Sequence, residues 1–399
     1  MFVNNFYKLT STLIVGACLS VGLFTTPAQA AGPGVGSPTV VTVGDSYISG
    51  EAGRWAGNSP TPAKVDALGA KAYFDNATKT GENIPGCHRS ASAPVHFSGV
   101  KSVNLACSGA RTVTSATAGS YTPGIDFYAD TRGRRGQAVL LRDVARVNNV
   151  KMVAVSIGGN DFGFGDTVRT CATNFVMSAL FPAELCSRDA KVVAKISATN
   201  RAAVKTRIVA ALRNVRTAMR QAGYKDGTYK VLVLTYPSPI PNSGGFRYTS
   251  TVSTRYNTGG CPFFNSDADW ANSVLLPAIN ATVVQSATES GLVNISRLDV
   301  SSAFNGHRLC EKTSGRVEEK NLPSWKTPGG VAKLEWVGQI RQPNTKPPYL
   351  SSESLHPNFF GQLALRSCLA QAYNGGYPRG GVCLPTSGFS GVTPNMRLY

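Results

Sequence analysis

Histidine is scarce in this chain. The four present, His88, His96, His307 and His356, include no pair at metal-ligand spacing. With the cysteines better used in bridges, no zinc site is expected, and no cofactor either. Long apolar runs are missing after residue 30, where no segment reaches the roughly 20 residues that a bilayer span requires. Acidic side chains are few, 22 against 40 Lys and Arg. Such a surplus favours anionic surfaces. The basic residues are nevertheless scattered, with only Arg132-Gly133-Arg134-Arg135 forming a short cluster and no nucleic-acid motif beside it, so no nucleic-acid partner is expected. No internal repeat or sustained low-complexity segment stands out.

What the chain does have begins with a leader. Lys8, an apolar stretch over 13–24 and Ala28-Gln29-Ala30 before Ala31 read as a secretory signal peptide over residues 1–30. Val15-Gly16-Ala17-Cys18 hints at a lipoprotein site, but the apolar core continues through Leu23-Phe24, which favours cleavage after Ala30. The mature chain then has 369 residues, 39 basic and 22 acidic, a formal +17, and is expected to be secreted. Eight cysteines remain on either reading, an even number that suits disulfides in an oxidising compartment. Their order suggests pairing between neighbours: Cys87 with Cys107, Cys171 with Cys186, Cys261 with Cys310, and Cys368 with Cys383.

Strands expected over 39–43, 103–106, 152–157, 229–235 and 292–298 alternate with helical stretches, which argues for a parallel sheet covered on both faces. The clearest helix lies between Asn200 and Gly223, with Val204, Ile208, Ala211, Leu212, Val215 and Met219 at helical spacing. A second runs from Trp270 through Val274, Ile279 and Val283, bent at Pro277; a third follows His356. Residues 163–200, 237–269 and 311–349 look like insertions, and the tail over 384–399 looks loosely ordered. Motifs span the chain from end to end, so residues 31–399 are expected to form one catalytic domain. The chain is expected to act as a monomer.

Four segments carry the chemistry. Val43-Gly44-Asp45-Ser46-Tyr47 closes the first strand, and Gly44 permits the turn that exposes Ser46 beyond the carboxyl end, where open α/β sheets bind ligands. Asn104-Leu105-Ala106-Cys107-Ser108-Gly109-Ala110 ends the second in a glycine whose N–H can approach a substrate closely. Ser156-Ile157-Gly158-Gly159-Asn160-Asp161 offers the Asn160 amide. Glu353-Ser354-Leu355-His356-Pro357-Asn358 places a histidine just before a helix, with proline suited to its first turn. A serine hydroxyl needs a neighbouring imidazole to become nucleophilic, and preorganised donors stabilise the resulting oxyanion.

Serine, glycine, asparagine and histidine in these blocks and this order resemble the SGNH hydrolases, the GDSL lipase and esterase family, and the cysteine-flanked second block resembles its secreted actinobacterial branch. The resemblance implies a three-layer α/β/α sandwich with a central parallel, flavodoxin-like sheet. It also implies a serine ester hydrolase working through an acyl-enzyme on carboxylic, including lipid, esters. Ser46 would be the nucleophile and His356 the general base, with the Ser46 N–H, the Gly109 N–H and Asn160 Nδ2 as oxyanion donors. The family's usual acid stands three residues before the histidine as aspartate, and here that place holds Glu353. Glu353 is the expected orienter of His356 Nδ1, with a backbone carbonyl as the alternative and Asp299 as a weaker one. Polysaccharide deacetylation and acyl transfer remain open within the same fold, as does a binding protein that lost catalysis. Phe162, Phe164, Phe181, Phe263 and Phe264 are candidates for an acyl pocket. His88, between Cys87 and Arg89, reads as structural, His96 as a partly buried core edge, and His307 as pinning a loop near the cleft.

Overall fold

The computed structural model describes Met1 and residues 33–341 and 348–399. Apart from Met1, the leader expected over 1–30, with Cys18 and the cleavage after Ala30, lies outside the described residues. So does 342–347 within the third insertion.

Strand β1 (Pro38–Gly44) runs into a single helical turn, α1 (Ser46–Ser49). Next come β2 (Lys101–Asn104), a small ribbon of β3 (Ser115–Ala116) and β4 (Tyr121–Thr122), α2 (Gln137–Arg146) and β5 (Asn149–Ser156). The middle of the chain supplies α3 (Phe164–Met177), α4 (Ala190–Ala194), α5 (Ala198–Gln221), β6 (Lys230–Leu234), α6 (Asn265–Trp270), α7 (Leu276–Glu289) and β7 (Ile295–Asp299). Last are α8 (Gly330–Lys333), α9 (Phe359–Tyr373), β8 (Gly381–Ser390) and β9 (Thr393–Leu398). The main sheet has seven strands in the order β2-β1-β5-β6-β7-β8-β9, parallel throughout except for the final antiparallel pair. Order reverses between β1 and β5, and such a switch point opens a crevice at the carboxyl ends of both strands.

Side chains alternate across the sheet because successive strand residues face opposite ways. Val40, Met152, Ala154, Leu232 and Leu234 enter one core, which α9 covers through Phe360, Ala364, Leu365 and Leu369. Val41, Val43, Val153, Val155, Val231 and Val233 enter the other, under α2, α5 and α7. Helix α5 buries the expected stripe from Val204 to Met219. Ser197 Oγ caps its start at Asn200 N, and Gly223, at φ +95°, turns the chain away after it. The expected bend near Pro277 takes the form of a π-helical stretch, Ala271–Leu275, joining α6 to α7. Proline lacks the N–H that an α-helix would offer to the carbonyl four residues earlier, and a wider turn relieves that mismatch.

Two expectations need correction. The tail over 384–399 is not loose: β8 and β9 form a hairpin that completes the sheet. Pro394, Met396 and Leu398 alternate inward from β9. Gln371 of α9 holds the hairpin by donating to the Met396 carbonyl (2.8 Å) and accepting from Leu398 N (3.0 Å). The exposed residues of β8 hide that alternation in the sequence. The stretch 163–200 is not simply loop either, since α3 runs through it with Thr167, Cys171 and Phe175 buried at helical spacing. All four neighbour disulfides form: Cys87–Cys107, Cys171–Cys186, Cys261–Cys310 and Cys368–Cys383. Among the described residues no helix is long and apolar enough to cross a membrane.

Candidate active site

Ser46 sits one residue beyond the turn that ends β1. Gly44 makes that turn at φ +136°, and a Cβ there would stand 1.9 Å from the Ser156 carbonyl oxygen of β5. Only glycine lets the two strands pair to their ends at this point. Asp45 caps the following turn by accepting Tyr47 N (3.1 Å). The Ser46 N–H lies at the start of this turn and donates to no acceptor among the described residues.

From the other end of the chain, the loop before α9 brings His356 Nε2 to 2.7 Å from Ser46 Oγ. Leu355 adopts φ +59°, a left-handed conformation uncommon for a side chain of that size. Two contacts hold it there: Tyr47 OH donates to its carbonyl (2.9 Å), and its own N–H donates to Gly338 O (2.9 Å). Asn358 then caps α9 by accepting Phe360 N and Gly361 N. Pro357 therefore stands just ahead of the cap, not inside the first helical turn.

Gly109 follows the Cys87–Cys107 bridge at φ +75°. Its N–H, like that of Ser46, donates to no acceptor among the described residues. Asn160 Nδ2 spends one hydrogen on Ala110 O (3.0 Å), which fixes the amide and leaves its second hydrogen free to serve the cleft. Asp161, next in sequence, ties the same two loops together by accepting Thr112 N (3.0 Å) and Thr112 Oγ1 (2.6 Å). Ser46, Gly109, Asn160 and His356 all line one cleft of about 390 Å³.

The third triad member differs from expectation. His356 Nδ1 meets the carbonyl oxygen of Ser354 at 3.0 Å, the backbone alternative. The Glu353 carboxylate instead faces away, accepting Trp55 Nε1 (2.7 Å), Tyr73 OH (2.7 Å) and Leu350 N (2.9 Å). The cause is local: Ser351–Glu353 forms a tight turn that curls the carboxylate back onto its own start, while left-handed Leu355 swings the imidazole over the chain just before it. Glu353 is thus a brace for Trp55 and Tyr73, not a partner of the imidazole. Asp299 accepts Thr235 Oγ1 and Ser301 N, both at 2.9 Å, and acts as a turn former at the end of β7.

Burial lowers the His356 pKa below the ordinary histidine value, opposed by the charge of Glu51 and by the Ser354 carbonyl. The neutral imidazole, the form able to accept a proton, is therefore favoured at neutral pH. Beneath Ser46, buried Asp45 accepts from Tyr236 OH, which also receives Gly159 N at 2.9 Å. Desolvation pushes the Asp45 pKa up to about 7 despite these bonds.

Of the candidate aromatics, Phe164 lines the cleft and Phe263 lines a narrower apolar cavity that continues from it past Phe164, Val168, Leu276 and Leu355. Phe162 is buried in the core under α2, α5 and α7, Phe264 packs on Phe175 with ring centroids 5.0 Å apart, and Phe181 is exposed. His96 bonds Ser102 Oγ at 2.8 Å, and burial lowers its pKa to about 4, as suits a neutral core-edge residue. His307 stacks on Trp336 at 3.9 Å and bonds Leu334 O at 2.9 Å, pinning a loop that does not line the cleft. Cys171, Cys186 and Asp267 lie close together, but the sulfurs are bridged and Asp267 accepts Cys186 N and Ser187 N, so no free metal ligand remains there. Sequence reasoning passed over Glu51, which is fully buried between His88 and Ser108. Its signal was its place five residues beyond Ser46. Tyr236, which closes the floor of the cleft, gave none beyond its position at the end of a strand.

The resemblance to the SGNH hydrolases therefore extends from the order of the motifs to a common cleft. No family model matches the chain, and no curated protein does. Among solved structures, it is similar to an extracellular lipase from Streptomyces rimosus, with 22% identity over 84% of this chain and 100% of that one and a TM-score of 0.45. It is also similar to a phospholipase A1 from Streptomyces albidoflavus NA297, with 19% identity over 84% and 99% and a TM-score of 0.46. A lipase from a goat rumen metagenome shares 13% identity over 86% and 99%, with a TM-score of 0.35. What the cleft does rests on its own atoms.

Proposed function

We propose that the protein is a secreted serine hydrolase of carboxylic esters with an apolar acyl group. The reading is carried by the 2.7 Å contact between Ser46 Oγ and His356 Nε2, with the far side of the imidazole held on a carbonyl oxygen. A carbonyl can only accept, so Nδ1 keeps its proton and Nε2 is left to take one. Ser46 Oγ then attacks the ester carbonyl as its proton passes to His356. The N–H groups of Ser46 and Gly109 and the amide of Asn160 receive the oxyanion, and the imidazolium returns its proton to the departing alcohol. Water, activated by the same imidazole, releases the acid from Ser46.

Substrate preference follows from the cleft walls. Phe164, Val168, Leu276, Ile279 and Leu355 offer an apolar lining, and the adjoining cavity extends it towards Phe263 and Trp270. Exposed Arg169 stands at the rim, and Arg111 and Lys191 line an open basin beside Asn160. With the formal +17 of the mature chain, these cations support adhesion to anionic lipid or envelope surfaces. Four disulfides and the leader sequence support export to an oxidising compartment.

The test is a panel of p-nitrophenyl esters of increasing acyl length, run beside acetylated polysaccharide and phospholipid, with fluorophosphonate labelling of the same preparation. Labelling at Ser46 and turnover that rises beyond acetyl are expected. An unlabelled Ser46 in folded protein overturns the reading, and turnover confined to acetylated sugar replaces it with a deacetylase.

A further inference from the structure

One buried carboxylate joins three loops of the site. Glu51 lies just past the turn that ends α1 and is fully buried. Its Oε1 accepts from His88 Nδ1 at 2.9 Å, and its Oε2 accepts from the Ser108 hydroxyl. Its backbone carbonyl takes the side-chain amide of Gln362, on α9, at 3.1 Å. Ser108 precedes the oxyanion glycine, and α9 follows the catalytic histidine, so the nucleophile, oxyanion and base segments all meet at this residue. His88 is held against it in a left-handed conformation, φ +49°, which a histidine adopts only when its surroundings enforce it. The other groups around the pair are Tyr73, whose ring lies 4.8 Å from that of His88, Glu82, whose carboxylate is 3.8 Å from His88 Nε2, and Glu353 beyond Tyr73.

Isolated buried carboxylates are costly, and networks that keep one charged repay that cost in structure or function. The site also has an unmet electrostatic need. His356 becomes a cation during attack, yet its Nδ1 faces a neutral carbonyl and Glu353 has turned away. We propose that Glu51, tied through the Gln362 amide to the carbonyl of Pro357 beside the histidine, is a positioning residue that supplies the missing negative charge to the His356 imidazolium, while its bond to Ser108 holds the Gly109 N–H in place. The inference rests on the serine-hydrolase reading. Its electrostatics agree with the geometry. Burial pushes the Glu51 carboxyl up, but His88, His356 and Ser108 together hold it below the usual range, so it is charged at neutral pH. Against the burial that lowers His356, Glu51 is the strongest opposing influence.

The experiment is the pH dependence of kcat and kcat/KM for the full mature enzyme on a p-nitrophenyl ester. Glu51→Gln keeps an acceptor for Ser108 but loses the charge. Its kcat should fall by about 10- to 100-fold with KM little changed, and the acid limb of kcat/KM should move to lower pH because the imidazolium is less stable. Glu51→Asp, still charged, should leave the limb near its wild-type position. Ser108→Ala should lower kcat without moving the limb. An unmoved limb in Glu51→Gln overturns the proposal whatever its kcat. Should that variant fail to fold, His88→Gln removes an imidazole whose pKa, against the lowering by burial, the bond to Glu51 raises, and so leaves the charge of Glu51 unopposed; the limb should then move to higher pH, and an unmoved limb there overturns the proposal equally. Fluorophosphonate labelling of the wild type separates the two failures: an unlabelled Ser46 sinks the hydrolase reading itself, whereas a labelled one confines the failure to Glu51.

Discussion

The two faces of the sheet are built by different means. One is covered by α2, α5 and α7, whose apolar stripes close a core of mainly aliphatic side chains. The other carries α9 and long loops that bring Trp55, Trp336, Phe304 and Phe360 inward, and it holds three of the four disulfides. A regular helix satisfies its own backbone groups, whereas a loop packed against a core must find partners for each of them. The loop face therefore depends on buried polar anchors such as Asn58, Glu335 and Glu353, together with cross-links. Ser46, Gly109, Asn160 and His356 come from where that irregular backbone meets the strand ends. The helical face gives rigidity, and the loop face gives side chains at angles that a helix cannot offer.

The sharpest way to test that division is at the cleft itself. Ser46→Ala and His356→Ala should each lower kcat by at least about 10⁴-fold, with no further loss in the double variant because the two act as one unit. Their melting temperatures should stay near wild type, since neither side chain braces a loop. Turnover by a folded Ser46→Ala protein would break the mechanism. Asn160→Ala should come next, slower by about 100- to 1000-fold in kcat. A change in KM alone would move Asn160 from oxyanion donor to substrate recognition.

The faces themselves are compared by one pair of variants under denaturant unfolding. Leu212→Ala, in the fully buried stripe of α5, should cost about 2–5 kcal/mol and leave kcat untouched. Cys261→Ser with Cys310→Ser, which opens a link across 49 residues of the loop face, should cost about 2–4 kcal/mol and also make activity fall at a lower temperature than the helical core melts. If both variants lose activity and structure together, the faces are one cooperative unit and the contrast is only architectural. The smallest effect is expected from Glu353→Gln. It loses the charged acceptor for Trp55 and Tyr73 but nothing at His356, so kcat should fall less than about tenfold with its pH profile unmoved. A larger fall with a displaced acid limb would restore Glu353 as the acid of the triad.

Legibility in the sequence followed the same line. Five of the six parallel strands, β8 excepted, and α5 show in the periodicity because a regular element writes its burial into its spacing. Ser46, Gly109, Asn160 and His356 are legible because each sits at the end of such an element. Glu353 misled because three residues of spacing says nothing about the direction of a turn, which depends on left-handed Leu355 and on the distant Trp55 and Tyr73. Glu51 was passed over because its partners lie 37 and 57 residues away. The hairpin of β8 and β9 went unread because β8 is exposed over most of its length and carries no alternation to pair with that of β9.

Ser46 and His356 stand 310 positions apart. The first lies at the end of β1, whose neighbour β5 is made more than a hundred residues later, and the second sits on a loop whose helix is backed by the final hairpin. A growing chain can acquire α2, α5 and α7 early, since a helix's own bonds are close in sequence, but Ser46 stays without His356 until α9 and β9 have followed. Contacts of such long range are the slowest to form. The consequence is one of timing: the cleft stays open and Ser46 unpartnered until nearly the whole chain has been made and folded.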